Sequence, residues 1–251
     1  ADVCVINNEP DGVNINKDCG STHIEQLQKF VIESGADVGL AFDGDADRVL
    51  AVDENGNMVD GDHIMAIIGL ELKKQGKLTN NTIVATVMSN LGLDIMAKRE
   101  GINIVKTKVG DRYVLENMLE NGHVLGGEQS GHIIFLEHST TGDGILTGAQ
   151  LLNVVKSSGK KLSELASIMQ VLPQVLMNAR VSNQNKEKYL EDEVICEMCK
   201  ELENEFRDEG RVLIRPSGTE PLVRVMIEGK DRDYIEKRAL ELVKVIEERL
   251  G

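Results

Sequence analysis

Hydrophobic positions change spacing repeatedly along the first two thirds of the chain. Apolar residues three and four apart predict helices over 24–34, 63–75, 92–100, 111–120 and 144–157. Short runs rich in β-branched residues predict strands over 38–42, 49–52, 82–86, 102–105, 123–125 and 133–136. Strands and helices that alternate through short connections predict an α/β fold with a mainly parallel sheet.

Both ends of the chain add to this pattern. Residues 1–8 predict a strand, and Thr22, with Glu25 three residues later, is the expected N-cap of the first helix. After Pro173 the pattern predicts a strand over 174–181, a charged helix over 186–205, strands over 211–215 and 222–228, and a last helix that Asp231 caps. This β-α-β-β-α order predicts a C-terminal α+β domain. We expect three parts, residues 1–60, 61–172 and 173–251.

Composition narrows the class of protein. The chain has 251 residues, 41% of them hydrophobic, and a net charge of −14, which argues against nucleic acid and anionic membranes as partners. No apolar run approaches the roughly 20 residues that span a bilayer. Four cysteines are too few for a disulfide framework, so we expect a cytoplasmic protein. Cys196 and Cys199 lie in a predicted helix one turn apart, which favours a structural interpretation over a metal or redox site.

Three aspartates at alternate positions follow the predicted strand 38–42. Asp43, Asp45 and Asp47 would repel one another without a cation, and carboxylate oxygens favour Mg²⁺ or Ca²⁺. Arg48 closes the row and adds a positive charge suited to phosphate chemistry. We therefore predict a divalent metal site at the carboxyl end of a strand, where open α/β sheets keep their sites.

Three other interpretations of this loop compete with a magnesium site. The carboxylates, together with Glu54, occupy the spacing of an EF-hand, but Arg48 stands where that loop needs glycine and the flanks read as strands. A phosphatase with Asp43 as nucleophile needs downstream lysine and aspartate partners that the sequence does not identify. A purely structural acidic turn would leave the repulsion uncompensated.

A second glycine-rich stretch offers groups for hydroxyls or an amino group. Glu128 and Ser130 alternate among the glycines of Gly126-Gly127-Glu128-Gln129-Ser130-Gly131-His132. The same stretch also suits an ordinary turn, and His132 alone favours a structural role. Asp111 and Arg112, at another strand-to-helix transition, are further candidates to line a cleft, whereas Ser89 and Asp143 are expected to cap helices.

A third motif lies between the last two predicted strands. Arg215, Ser217, Gly218, Thr219 and Arg224 supply two guanidinium groups, two hydroxyls and a flexible backbone, which suit a phosphate. A proline- and glycine-containing hairpin with incidental hydroxyls is the alternative. Arg224 favours the phosphate interpretation, because it alternates with two apolar valines and so points away from the core.

In this order the three motifs resemble those of the α-D-phosphohexomutase family. The family's metal loop resembles residues 43–48, its sugar-recognition loop resembles 127–132, and its phosphate-binding loop resembles 215–221. The resemblance covers the whole chain and implies mixed, mainly parallel α/β domains followed by the α+β domain. It implies one Mg²⁺ per full-length subunit held by Asp43, Asp45 and Asp47, with Arg48 as a catalytic residue. Glu128, Ser130, Asp111 and Arg112 would then contact sugar, and the third motif would bind phosphate.

The resemblance also implies a reaction, and it implies that the donor serine and the N-terminal domains lie outside this chain. Within the family the loop residues favour glucosamine 6-phosphate and glucosamine 1-phosphate, interconverted through a phosphoserine and glucosamine 1,6-bisphosphate to supply cell-wall precursors. The donor serine stands in a Ser-His-Asn-Pro-like context that these 251 residues lack. We therefore expect a fragment, inactive alone, whose partners are a phosphorylated amino sugar and its own missing N-terminal domains; the resemblance also allows a homodimer. Mannose and glucose phosphates, or a non-catalytic phosphosugar- or metal-binding module, are the alternatives.

Overall fold

The chain divides into two compact units in the computed structural model. Residues 1–218 and 220–251 are described, without the side chain of Asp208. The first unit is Ala1–Gln170 and the second is Val171–Gly251. Each unit has its own buried core.

Six helices and seven strands form the first unit in the described chain. The helices are α1 (Glu25–Ser34), α2 (Gly61–Lys74), α3 (Leu91–Glu100), α4 (Asp111–Asn121), α5 (Gly144–Ser158) and α6 (Leu162–Ala166). The strands are β1 (Val38–Phe42), β2 (Val49–Asp53), β3 (Met58–Val59), β4 (Thr82–Thr86), β5 (Asn103–Thr107), β6 (Leu125–Gly127) and β7 (Ile133–Phe135). Side chains cap the N-termini of several of the helices. Asp60 accepts a hydrogen bond from the His63 amide, and Asp143 accepts one from the Leu146 amide.

The first three strands form an antiparallel sheet in the order β1-β2-β3. This sheet is an antiparallel part of the mixed, mainly parallel α/β arrangement that the sequence predicts. The reason is local: only six residues separate β1 from β2, and a connection this short returns the chain as a hairpin, whereas parallel neighbours need a long crossover.

The second sheet is mixed, in the order β5-β4-β6-β7. Strands β5, β4 and β6 run parallel, and β7 is antiparallel at the edge. Helix α4 packs on one face, while α2, α3 and α5 contribute to the core on the other. All five residues of β4 are buried, as expected for a strand covered by helices on both faces.

Two predictions for the N-terminal residues are wrong. Residues 1–8 form no strand, and within the described chain they pair with none. Thr22 does not cap α1: the helix begins after Ile24 without a side-chain cap, and the Thr22 hydroxyl contacts His23 Nδ1 instead, at 3.1 Å.

The second unit is the predicted α+β domain. Strands β8 (Gln174–Arg180), β9 (Gly210–Pro216) and β10 (Leu222–Gly229) form an antiparallel sheet with β10 in the centre. Helices α7 (Glu193–Phe206) and α8 (Arg232–Leu250) pack against it. Asp231 caps α8 as predicted, accepting a hydrogen bond from Tyr234 N at 3.0 Å.

Helix α7 begins seven residues later than the predicted position 186. Asp192 caps it through hydrogen bonds from the amides of Val194 and Ile195, and a short 3₁₀ turn, Lys188–Leu190, precedes it. No helix of the described chain is both long enough and apolar enough to cross a membrane. All four cysteines are free thiols.

Candidate active site

The aspartate loop is the connection of the β1–β2 hairpin. Phe42 pairs with Val49, so residues 43–48 form the loop between two strands. Residues 15 and 16 pack against it: a Cβ on Gly44 would lie 2.9 Å from Asn16 Nδ2. The segment 15–16, which is distant in sequence, therefore packs against the aspartate loop.

Three carboxylates converge in this loop. One ligand oxygen each from Asp43, Asp45 and Asp47 lies within 4.8 Å of the other two. Oδ1 of Asp47 is buried and has no hydrogen-bond partner among the described residues. Burial, followed by the Asp43 carboxylate beside it, raises the pKa of Asp47. A hard divalent cation fits this arrangement, because it would both neutralise the charge and satisfy the buried oxygen.

Arg48 lies at the edge of the same cluster. Its Nε is 3.7 Å from Asp43 Oδ2 and 3.8 Å from Asp47 Oδ1, and nearly half of its side chain is exposed. Its backbone amide donates a hydrogen bond to Asp43 Oδ1 at 3.1 Å. Arg48 is therefore placed to meet a negatively charged ligand beside the aspartate loop.

Backbone hydrogen bonds attach the aspartate loop to the glycine-rich loop 126–132. The amide of Val49 donates to Gly131 O at 3.2 Å, and Arg48 forms an isolated β-bridge with His132. The amide of Gly144 donates to Ala46 O at 2.8 Å, so the start of α5 belongs to the same assembly. Segments more than 80 residues apart therefore form one site.

His132 lies at the centre of this assembly, a position that sequence reasoning missed. Its Nε2 accepts a hydrogen bond from Gly142 N at 3.2 Å and is 3.6 Å from Asp47 Oδ2. The residue is only 5% exposed. The sequence signal was a histidine at the end of a glycine-rich loop, but only the β-bridge to Arg48 places it beside the aspartates.

Glu128 and Asp111 add two more carboxylates to this region. Glu128 is half-buried; burial first, and then the Asp111 carboxylate, raises its pKa, partly offset by His132 and Arg48. Asp111 Oδ2 is 4.0 Å from His132 Nε2. Two carboxylates at the edge of the aspartate cluster offer acceptors for hydroxyls and, more strongly, for an ammonium group.

The remaining candidates of the first unit are placed differently. Ser130 is exposed at the tip of the glycine-rich turn. Arg112 is directed along α4, where its Nε lies 2.7 Å from Glu116 Oε1, and its side chain is 80% exposed. Asp143 caps a helix as expected, but the cap of α3 is Asn90 and not Ser89.

The third motif lies in the second unit, between β9 and β10. Ser217 is 4% exposed, its amide donates to Leu222 O at 2.9 Å, and its Oγ accepts from the Glu220 amide at 3.2 Å. Gly218 is exposed, and a Cβ there would meet nothing within 4 Å. Thr219 lies outside the described residues.

Two arginines face each other beside this loop. Arg215 and Arg224 are directly opposite on neighbouring antiparallel strands. Burial, and then the Arg224 guanidinium, lowers the pKa of Arg215. Arg224 Nη2 is 3.4 Å from Glu220 Oε2, whereas Arg215 has no ion pair among the described residues. Like charges at opposed positions destabilise a sheet, so the pair favours an anion as ligand.

Three domain descriptions of a single family match the chain consecutively. They are "Phosphoglucomutase/phosphomannomutase, alpha/beta/alpha domain II" over residues 2–56, "alpha/beta/alpha domain III" over 60–172, and "C-terminal domain" over 176–245.

Curated relatives with high identity carry one name. A protein named "Phosphoglucosamine mutase" from Ruminiclostridium cellulolyticum is 75% identical over all 251 residues, and one of the same name from Thermoanaerobacter sp. is 63% identical. The chain spans 56% of the length of each.

Solved structures show the same fold at low identity. An Aspergillus fumigatus N-acetylphosphoglucosamine mutase, in complex with GlcNAc-6P and magnesium, has a TM-score of 0.73 at 20% identity, covering 94% of this chain and 54% of the other. A phosphoglucomutase/phosphomannomutase family protein from Burkholderia thailandensis has a TM-score of 0.70 at 22% identity, covering 89% and 50%. Because three consecutive domains of one family match residues 2–56, 60–172 and 176–245, the chain belongs to the phosphoglucomutase/phosphomannomutase family, the α-D-phosphohexomutases.

Proposed function

We propose that this chain forms the metal-, sugar- and phosphate-binding part of a phosphoglucosamine mutase, which interconverts glucosamine 6-phosphate and glucosamine 1-phosphate. The observation that carries the proposal is the convergence of the three aspartate oxygens within 4.8 Å. Around them lie a histidine, an arginine and two further carboxylates. The name shared by relatives of 60–75% identity supports the choice of substrate.

Asp43, Asp45 and Asp47 would hold Mg²⁺. A bound Mg²⁺ supplies neutralisation of the charge on a phosphoryl group in transfer. Arg48 adds a positive charge that is already oriented by Asp43 and Asp47, at 3.7 and 3.8 Å. A charge held in position before the reaction needs no reorganisation during it, which is the main source of electrostatic stabilisation of a transition state.

Glu128, Asp111 and Ser130 would bind the sugar. The neighbouring Asp111 carboxylate contributes to the raised pKa of Glu128, so a cationic group between the two would relieve their repulsion. The amino group of glucosamine is such a cation, and glucose and mannose phosphates have none. Arg112 remains a predicted sugar contact whose guanidinium is paired with Glu116 in the structure.

Arg215, Ser217, Gly218 and Arg224, with the undescribed Thr219, would bind the phosphate that does not react. Two guanidinium groups opposite each other can donate hydrogen bonds to phosphate oxygens from two sides. Energy from binding a remote phosphate helps to position the reacting end of the substrate.

Turnover through a phosphoserine and glucosamine 1,6-bisphosphate requires a donor serine outside these 251 residues. The chain spans just over half of its relatives, and the longer protein would contain the preceding domains. We propose the mutase activity for that longer protein and the binding of metal and substrate for this chain.

Titration of Mg²⁺ into the chain by calorimetry tests the metal site. We expect Asp45→Asn to weaken Mg²⁺ binding about tenfold or more, because a charged ligand is replaced by a neutral one. Asp37→Asn removes an exposed carboxylate outside the loop and should leave binding unchanged. Equal Mg²⁺ affinity in the Asp45→Asn variant and the original chain would refute the ligand assignment.

Titration of three sugar phosphates separates the candidate substrates. With Mg²⁺ present, glucosamine 6-phosphate should bind more tightly than glucose 6-phosphate or mannose 6-phosphate, and Glu128→Gln should reduce that preference. Equal binding of all three would favour a phosphomannomutase/phosphoglucomutase. Binding without turnover in a longer protein that contains the donor serine would favour a non-catalytic module.

A further inference from the structure

One lysine reaches the phosphate-binding loop from a distant part of the second unit. Lys186 lies in the segment between β8 and α7, and its ammonium donates a hydrogen bond to the main-chain oxygen of Ser217 at 2.9 Å. The lysine is partly buried. No pattern in the sequence marks it, because 31 residues separate the two partners.

The backbone around Lys186 is fixed to the end of α8. Ser182 N donates to Leu250 O at 3.3 Å, and Asn185 Nδ2 donates to the same oxygen at 3.2 Å. Lys186 N in turn donates to Ser182 O at 3.1 Å. The side chain of Lys186 therefore extends towards the loop from an anchored position.

The hydrogen bond from Lys186 gives the Ser217 carbonyl, the last polar group of this residue, a partner. The amide and the hydroxyl of this serine are already bonded, to Leu222 O and to the Glu220 amide. With its carbonyl held by Lys186, all three polar groups of Ser217 have partners. A ligand-binding loop fixed in this way loses little conformational freedom when it binds.

The charge of Lys186 is not balanced by a nearby carboxylate. Within the described part of the chain, no Asp or Glu oxygen lies within 4.0 Å of its ammonium, and the same holds for Arg215. Among the described residues, the carboxylate paired at this loop is that of the exposed Glu220, which contacts Arg224. Lys186 thus donates a hydrogen bond to the loop, and Arg215 and Arg224 lie on the two strands that flank it, in a chain whose net charge is −14.

We propose that Lys186 is a further residue of the phosphate site. It positions the Ser217 backbone and adds a third positive charge for the phosphate of a phosphorylated sugar. This inference rests on the proposed function of loop 215–221 and deepens it. A lysine that only closed a loop could be replaced by any hydrogen-bond donor without loss of phosphate affinity, and the experiment uses that difference.

Inorganic phosphate, titrated into the 251-residue chain without Mg²⁺, is the probe. The amide NMR signals of Ser217 and Gly218 report binding at this loop alone. Five variants are compared with the original chain: Lys186→Met, Lys186→Gln, Lys186→Arg, Arg215→Met, and Lys188→Met as the matched control. Lys188 is an exposed lysine two residues further on.

We expect Lys186→Met to weaken phosphate binding about tenfold, since it loses both the charge and the donor. Lys186→Gln keeps a donor for Ser217 O and should still weaken binding at least about threefold, because the charge is gone. Lys186→Arg and Lys188→Met should each stay within about twofold of the original chain.

The experiment distinguishes a failure of the Lys186 proposal from a failure of the proposed phosphate loop. If Arg215→Met abolishes the phosphate-dependent shifts while Lys186→Met and Lys186→Gln bind like the original chain, Lys186 has no role and the phosphate loop stands. If neither the original chain nor any variant shows phosphate-dependent shifts at Ser217 and Gly218, the phosphate loop itself is refuted, and Lys186 with it. Should Lys186→Met not fold, Lys186→Gln decides by the threefold criterion.

Discussion

A single buried carboxylate shows how strongly the position of one residue controls its chemistry. Asp62 is 0% exposed in the first turn of α2, and its Oδ2 accepts a hydrogen bond from the Asn90 amide at 2.7 Å. Burial first, and then the nearby Asp60 carboxylate, raises the pKa of Asp62 from its ordinary value of 3.8 to about 6. A group titrating in this range makes stability depend on pH near neutrality.

We predict that Asp62→Asn reduces the pH dependence of stability. The folded pKa of about 6 lies above the unfolded value of 3.8, so Asp62 stabilises the fold fully below 3.8 and loses that contribution as pH rises through about 6. Relative to the variant, the original chain should lose on the order of 2 kcal/mol between about pH 4 and pH 7. Urea unfolding across this range measures the difference.

The control for this prediction is Asp37→Asn, which neutralises an exposed aspartate. It should follow the original chain at every pH. A constant difference in unfolding free energy between Asp62→Asn and the original chain, across the whole range, would contradict the burial argument.

Among the site residues, those predicted from sequence are those whose chemistry is local. Asp43, Asp45 and Asp47 could be predicted, because their repulsion arises from positions two apart. His132 and Lys186 could not, because each acts through a partner distant in sequence, Asp47 and Ser217. Spacing alone carries no signal for such contacts.

At the scale of elements, one glycine allows two loops to meet. Gly131 has φ of +94°, and a Cβ there would lie 2.2 Å from Val49 O, the strand residue that follows the metal loop. Its own carbonyl accepts the hydrogen bond from Val49 N. The contact between the aspartate loop 43–48 and the glycine-rich loop 126–132 therefore depends on the absence of a side chain at Gly131.

We predict that Gly131→Ala destabilises the chain by about 3 kcal/mol or more, through strain at positive φ together with the clash. It should also weaken Mg²⁺ binding, because the displaced β2 strand carries the end of the metal loop. Gly122→Ala is the matched control: φ is +69°, and a Cβ would meet nothing within 4 Å. Its expected cost is about 1 kcal/mol, from backbone strain alone, with unchanged Mg²⁺ affinity.

Thermal unfolding and Mg²⁺ calorimetry on both variants test this prediction. An equal loss of stability in the two variants would show that strain at positive φ, and not the contact with Val49, causes the loss of unfolding free energy. Unchanged Mg²⁺ affinity in Gly131→Ala would show that the two loops are independent.

Helices and strands are predicted well where the pattern of apolar residues alone defines them. They are predicted poorly where hydrogen-bonded pairing with another strand defines them. Strands β1 and β4 have the predicted bounds, because apolar runs between turns suffice to define them. Residues 1–8 have the same kind of pattern but pair with no described strand, so they remain irregular. The antiparallel pairing of β1 with β2 could not be predicted, because periodicity contains no information on strand direction.

At the scale of the whole molecule, the two units have separate cores. We predict two thermal transitions that single core substitutions shift separately. Val114 belongs to the first unit and Val225 to the second, and both are 0% exposed. Val225→Ala should lower the midpoint temperature of one transition, and Val114→Ala that of the other. Each substitution should reduce the unfolding free energy of its own unit by about 2 kcal/mol. Differential scanning calorimetry measures both, and one transition that both variants lower equally would contradict independent cores.

The last prediction concerns activity. The residues proposed to bind metal, sugar and phosphate all lie within this chain, whereas the Ser-His-Asn-Pro-like context proposed for the donor serine does not occur in its sequence. We therefore expect no turnover of glucosamine 6-phosphate by the chain alone, with Mg²⁺ and catalytic glucosamine 1,6-bisphosphate present. A bisphosphate can transfer a phosphoryl group only to an acceptor held in line with it, and the acceptor serine is missing.

A coupled assay for glucosamine 1-phosphate measures this prediction, with a longer protein that includes the preceding domains as positive control. In that protein turnover should appear, and Asp45→Asn should reduce it by about a hundredfold or more if the metal contributes several kcal/mol. Full turnover by the 251-residue chain would show that another residue within it accepts the phosphoryl group.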